Sequence, residues 1–224
     1  MNRITVRKPQ SGFTLVEIAI VLVIIGLLLG GILKGQEMIN QAKIKNLIND
    51  FNGISAAMYS YQDRYRALPG DDLNAATRWA GAVAGNGNGQ FAGNYNTVLA
   101  ATPTAAQETN LFWWHLRLAG FVPGTTAAGA AAGQQPNNAA GGIVGVATGA
   151  GAATLGFTSN ILCTSNLPDK IAIAIDAQMD DGIYNTGQVR GILQAGPNPD
   201  LRAQAGTDAY AETGTNQYLL CKNL

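Results

Sequence analysis

Residues 18–33 of this chain carry no charge and consist only of Ile, Ala, Val, Leu and Gly. With Phe13-Thr14-Leu15-Val16-Glu17 ahead of it, the segment reaches from Phe13 to Leu33. At about 1.5 Å of rise per residue a helix over those positions spans roughly 30 Å, the thickness of a bilayer's hydrocarbon core. The segment is therefore predicted to be a membrane helix. Glu17 is the exception inside it. A carboxylate at mid-membrane costs about 2.5–3.5 kcal/mol on an insertion scale, less near the end of the span, and such groups usually have a partner. No basic side chain lies between Phe13 and Leu33. Cutting the chain after Gly12 would create a cation, the new α-amino group of Phe13, one helical turn from Glu17.

Gly12-Phe13-Thr14-Leu15-Val16-Glu17 followed by a long apolar helix resembles the processing site of type IV prepilins and of the pseudopilins of type II secretion. The resemblance covers residues up to about 60. It implies a prepilin peptidase and N-methyltransferase that cleaves after Gly12 on the cytoplasmic face and methylates Phe13. It also implies that Glu17 pairs with the N-terminus of a neighbouring pilin subunit in a filament, built on an inner-membrane assembly platform. The leader is then residues 1–12. The resemblance further implies a single-pass inner-membrane protein, leader cytoplasmic and C-terminal domain periplasmic, that later enters a pilus (fimbrium) or pseudopilus.

The leader carries Arg3, Arg7 and Lys8 and no acid. A secretory signal also begins with positive charge, but its apolar region is shorter and ends in small residues of the Ala-x-Ala kind. This run is longer and ends in Gly30-Gly31-Ile32-Leu33-Lys34, which makes a secretory signal the weaker reading. Lys34, Lys43 and Lys45 balance the leader's cations across the span, so orientation rests on the resemblance. The precursor is neutral, with 14 basic and 14 acidic residues; loss of the leader leaves 11 against 14. Such a balance gives no general attraction to nucleic acid, and no specific nucleic acid is expected as partner.

Gly26-Leu27-Leu28-Leu29-Gly30 has the spacing that lets helix backbones approach closely, although glycine is common in membrane helices anyway. Beyond Lys34, Ile44, Leu47, Phe51, Ile54, Met58 and Tyr61 recur at three- and four-residue spacing, and no proline falls between Phe13 and Leu68. One long helix over 13–65 is predicted, transmembrane over 13–33, its second part laying an apolar stripe on a globular domain. Type IV pilins often carry a helix-bending proline near the position of Lys34. Its absence leaves main pilus subunit, minor subunit and pseudopilin all open.

Residues 66–224 suffice for one domain with its own core. Pro69-Gly70 ends the long helix, and Asp71 is expected to cap a short helix through Trp79. Gly81 to Gly93 is a Gly/Asn-rich loop without the pattern of a phosphate-binding loop. Thr104-Ala105-Ala106-Gln107 has capping-box form, and Gly120 with Pro123 supplies a stop, predicting a helix over about 105–119. His115, the only histidine, reads as a surface or edge residue beside Trp113 and Trp114. Residues 125–154 are uncharged and rich in Ala and Gly, and read as a surface excursion with one short strand at Ile143–Val146. Residues 155–158, 188–190 and 218–221 are strand candidates, and 168–181 favours a helix opened by Pro168 and stopped by Gly182. The fold class is α+β: a long N-terminal helix packed on a domain with a small antiparallel sheet and short helices.

No Ser-His-Asp or Cys-His set, zinc spacing or nucleotide loop is recognisable, so no enzyme and no catalytic residue is expected. Asp176, Asp180 and Asp181, with Asp71 and Asp72, offer oxygen ligands for calcium, and some pseudopilins bind calcium in this part of the domain. The spacing is not that of an EF-hand loop; solvated turn acids are the default reading, and no other cofactor is expected. Cys163 and Cys221 are the only cysteines. Two thiols in one domain outside the cytoplasm are usually paired, and several pilins tie their C-terminal segment back in this way, so a disulfide is expected. The leading reading is a prepilin-like structural subunit. The competing one is a membrane-tethered or filament-tip protein binding DNA or a surface ligand, for which only scattered cations such as Arg64, Arg66 and Arg78 are available.

Overall fold

The computed structural model describes residues 12–149 and 155–224. Most of the leader and five residues of the Gly/Ala-rich stretch, 150–154, therefore lie outside the described residues. The chain falls into two compact units, the first ending at Ala42 and the second running Lys43–Leu224. One helix, α1 (Leu15–Tyr65), contributes to both. In the first unit its large apolar side chains are exposed: Leu15, Leu22, Leu27 and Leu33 are all more than 60% exposed.

In the second unit α1 behaves as a helix with a protein partner. Ile44, Leu47, Phe51, Met58 and Tyr61 are buried and Ile54 partly so, which is the stripe predicted from their spacing. Arg66, in the left-handed region (φ 55°), ends the helix, its N–H reaching the Gln62 carbonyl at 2.8 Å. The stop thus falls three residues ahead of Pro69's restriction on Leu68. Next comes α2 (Ala75–Arg78), which has no side-chain cap. Asp71 does not cap it, because its carboxylate is engaged elsewhere.

α3 (Glu108–Leu118) starts later than the capping-box residues suggested. Gln107 Oε1 does accept the Thr104 N–H at 3.1 Å, but the pair closes a separate turn before the helix. The C-terminal end is as expected from Gly120: at φ 77° it lets Phe121 N–H reach Leu116 O (2.9 Å) and its own N–H reach Arg117 O (3.1 Å). Residues 108–116 are buried on every face, so α3 is an internal helix.

Four strands follow: β1 (Val144–Thr148), β2 (Asn160–Pro168), β3 (Val189–Leu193) and β4 (Gln217–Asn223), with α4 (Asp169–Met179) between β2 and β3. They form one antiparallel sheet in the order β1-β2-β4-β3. Alternation sends Leu162, Tyr218 and Leu220 to the face that carries the α1 stripe, Trp113 and Ile175. Ile161, Cys163, Leu219 and Cys221 go to the other face, with Tyr95 and Leu155. Both faces of the sheet are covered.

Two expectations are corrected here. Residues 155–158 are a turn leading into β2, and the central strand is β2 itself, whose Thr, Ser and Asn kept it from reading as a buried run. The Gly/Ala-rich stretch is no surface excursion either. Ala132, Val144, Val146 and Ala147 are buried, and β1 forms one side of the sheet. The small residues have a packing reason: a Cβ on Gly142 or Gly145 would overlap the carbonyl oxygens of Ser165 and Tyr95. The stretch builds no core of its own but slides close to one made by others.

Candidate functional site

Gly12 precedes α1, and Phe13 is 84% exposed. A Cβ at Gly12 would meet nothing within 4 Å, and its φ is not one that requires glycine. Nothing among the described residues asks for glycine there. The same is true of Gly26 and Gly30, whose Cβ positions face open space.

Glu17 has a partner that sequence reasoning missed. Its Oε2 accepts both the Thr14 N–H and the Thr14 hydroxyl at 2.8 Å, while the Glu17 N–H donates to Thr14 Oγ1 at 3.2 Å. This is a reciprocal capping box at the start of α1, and Thr14-x-x-Glu17 was its legible signal. It satisfies two N–H groups that the helix end leaves without acceptors. Oε1 makes no hydrogen bond among the described residues. The carboxylate is thus held in place with one oxygen free.

The other acidic candidates all make hydrogen bonds within the domain. Asp71 accepts N–H bonds from Gly87 (2.5 Å), Asn88 (3.0 Å) and Gly89 (2.6 Å), and Glu108 accepts from Asn86 and Ala92. The Gly/Asn-rich loop does wrap anions, and the anions are carboxylates from the turn after α1 and the start of α3. Burial raises the Glu108 pKa against these two hydrogen bonds. Asp72 accepts the Tyr61 hydroxyl at 2.7 Å and pairs with Arg78, which removes that cation from any outer surface role.

Asp176, Asp180 and Asp181 do come together, their carboxylate oxygens within 4.8 Å of one another. Each also has protein donors: Tyr210 Oη to Asp176 at 2.5 Å, Gln188 and Val189 N–H to Asp180, and Thr186 Oγ1 to Asp181 at 2.5 Å. Burial pushes the Asp176 carboxyl up to about 6, the Tyr210 hydroxyl opposing the rise. The trio closes the end of α4 as hydrogen-bonded turn acids, and Asp71 and Asp72 lie in a different cluster.

His115 is fully buried, not an edge residue. Its Nδ1 accepts the Gly70 N–H at 2.9 Å, which places the proton on Nε2, 2.8 Å from the Val83 carbonyl. Burial lowers its pKa to about 4. It pins two loops together as a neutral imidazole. Cys163 and Cys221 face each other in the β2–β4 register and are joined by a disulfide. Closing that loop is worth about 4 kcal/mol on the chain-entropy estimate.

Compared with known families, residues 7–33 match the model of the prokaryotic N-terminal methylation motif. The chain carries a type IV prepilin-type leader. The leader, together with the exposed apolar part of α1, fits an inner-membrane anchor. The match ends where the apolar run ends, so it concerns the anchor and says nothing of the sheet domain. No curated protein and no solved structure matches the chain.

Proposed function

We propose that this protein is a structural subunit, cleaved after Gly12 and N-methylated on Phe13, that assembles through α1 into a type IV pilus or a type II secretion pseudopilus. The observation carrying this reading is the methylation motif at residues 7–33, joined to a glycine that no described residue requires. A glycine with open space around it leaves room for a requirement set from outside the chain, of the kind a processing enzyme imposes. Residues 1–12 are the leader, 13–33 the membrane span and 66–224 the periplasmic domain.

The mechanism is physical. In lipid the apolar face of α1 is solvated by acyl chains, and Glu17 is tolerated because Thr14 supplies two donors. In a filament, α1 helices bundle and the free Oε1 of Glu17 meets a neighbour's Phe13 ammonium. Loss of one partner of a buried pair costs about 3–5 kcal/mol, enough to make assembly depend on the cut.

Mass spectrometry of the membrane-extracted protein tests the reading. The expected N-terminus is N-methylated Phe13, and a protein still beginning at Met1 in peptidase-positive cells would sink it. Gly12 replaced by a bulkier residue should leave the precursor uncut, visible as a mobility shift. Glu17→Gln separates the two jobs of the carboxylate: it keeps an acceptor for Thr14 and discards the charge. Normal cleavage with filament yield reduced tenfold or more is expected; normal yield would refute the pairing.

A further inference from the structure

Asn-Gly occurs at 52–53, 86–87 and 88–89. In such a pair the glycine carries no side chain to hinder its own nitrogen from attacking the preceding carboxamide. The nitrogen loses its proton and bonds to the asparagine Cγ, and the carboxamide nitrogen leaves as ammonia. Water then opens the five-membered imide at either carbonyl, giving aspartate or isoaspartate. The first pair lies inside α1, where the Gly53 N–H is spent in the helix. The other two lie in the exposed Gly/Asn-rich loop.

In that loop the leaving groups are free and the nucleophiles are not. The Nδ2 atoms of Asn86 and Asn88 have no partner among the described residues. Gly87 N–H, however, donates to Asp71 Oδ1 at 2.5 Å, and Gly89 N–H to Asp71 Oδ2 at 2.6 Å. One buried carboxylate thus holds the two protons that the two reactions must remove. Its negative charge also opposes the amide anion that either loss would create. The side chains are tied as well: Asn86 Oδ1 accepts the Asn88 N–H at 3.0 Å and Asn88 Oδ1 the Gln90 N–H at 2.8 Å.

We propose that Asn86 and Asn88 are sites of spontaneous deamidation that the Asp71 carboxylate holds in check. Conversion at Asn86 to isoaspartate adds a backbone methylene and a new carboxylate to a loop that already wraps Asp71 and Glu108. Like charges repel, so the loop loosens from Asp71 and the Gly89 N–H is released. The first conversion therefore speeds the second, and doubly converted chains outnumber the product of the two single frequencies.

The test uses the full-length chain in detergent, incubated at neutral pH and read by peptide mass spectrometry, with Asn52 as internal reference. Asp71→Asn keeps the size and one acceptor but removes the charge. A charge-assisted hydrogen bond no longer to be broken is expected to raise conversion at Asn86 and Asn88 at least about tenfold, with Asn52 unchanged. An unchanged or slower rate at both sites overturns the proposal, the slower rate by showing Asp71 to act as a base. Equal acceleration at Asn52 means that the variant has unfolded, and hydrogen exchange of the wild type then decides. The Gly87 and Gly89 amides are expected to exchange at least about tenfold slower in the native chain than in urea, although their residues are exposed. Equal exchange in the two states overturns the proposal.

Discussion

Helix α1 presents the same kind of surface twice and receives two different answers. Over residues 15–33 its Leu, Ile and Val side chains stand exposed, while over 44–61 the large apolar residues of its stripe are buried against α3, α4 and the sheet. The first surface is apolar all round, and the second is a stripe with polar residues such as Lys45 and Gln62 off it. A helix apolar on every side asks for a solvent of its own kind, whereas a stripe asks for one protein face. The difference teaches that, among the described residues, only the second of these surfaces has a partner within its own unit, while the first fits a membrane anchor.

Truncating the stripe should break that contrast most severely. Phe51→Ala is expected to destabilise the domain by about 3–5 kcal/mol, read from thermal unfolding by fluorescence of Trp79, Trp113 and Trp114. Leu22→Ala should leave the same transition unmoved, because Leu22 is 64% exposed and belongs to the other compact unit. Equal losses from both would erase the distinction between the two parts of α1.

A smaller effect sits at the end of the stripe, where Tyr61 stacks on His115 with ring centroids 6.4 Å apart. Replacing His115 by Phe should cost about 1–3 kcal/mol at pH 7, since the Gly70 N–H and the Val83 carbonyl lose their partners. The wild-type carries a pH signature. With a folded pKa near 4 and an ordinary value of 6.5, the unfolded chain binds more protons in that interval. Stability from His115 is present above pH 6.5 and drains away as pH falls towards 4. Loss of this slope in His115→Phe, seen in melts from pH 4 to 7, is the check.

Asp176 should give the opposite sign. Its folded pKa near 6 lies above the ordinary 3.8, so the folded chain holds the extra proton and its contribution falls as pH rises from 4 to 6. Asp176→Asn is therefore expected to raise the melting temperature at pH 7 by a few degrees, about 1 kcal/mol, and by nothing near pH 4. A mutant less stable at pH 7 than at pH 4, relative to wild-type, would show that the charged form is the one the site is built for. Smallest of all, Thr14→Val should leave the melt unchanged and lower only the helicity at the start of α1, about 1 kcal/mol of capping.

Local periodicity is what made α1, α4 and the stripe readable, since each residue's role there depends on neighbours three and four positions away. The Cys163–Cys221 bridge was readable for a related reason: with two cysteines only one pairing exists. The functions of Asp71 and Glu108 were not readable, because their partners lie 16 to 22 residues off in a loop that looks like plain turn chemistry. His115 was misplaced because a polar ring beside two tryptophans resembles an edge until two distant loops offer it a donor and an acceptor. β2 was missed because its polar Thr164 and Ser165 are buried and bonded by other strands and loops, which no window of sequence displays.

The amino-acid sequence by itself determined the anchor: a charge-free run, a glycine before Phe13 and one acid in the span, all within a stretch where chemistry is set by adjacent residues. Tertiary structure decided which polar groups are silent and which are still open. Asp71, Asp72, Glu108 and His115 are consumed by hydrogen bonds across the fold, while Asp50, Trp113 Nε1 and Glu17 Oε1 have no hydrogen-bond partner among the described residues. The physical reason is that a hydrogen bond depends on distance in space, and only folding brings residues far apart in the chain within 3 Å of one another.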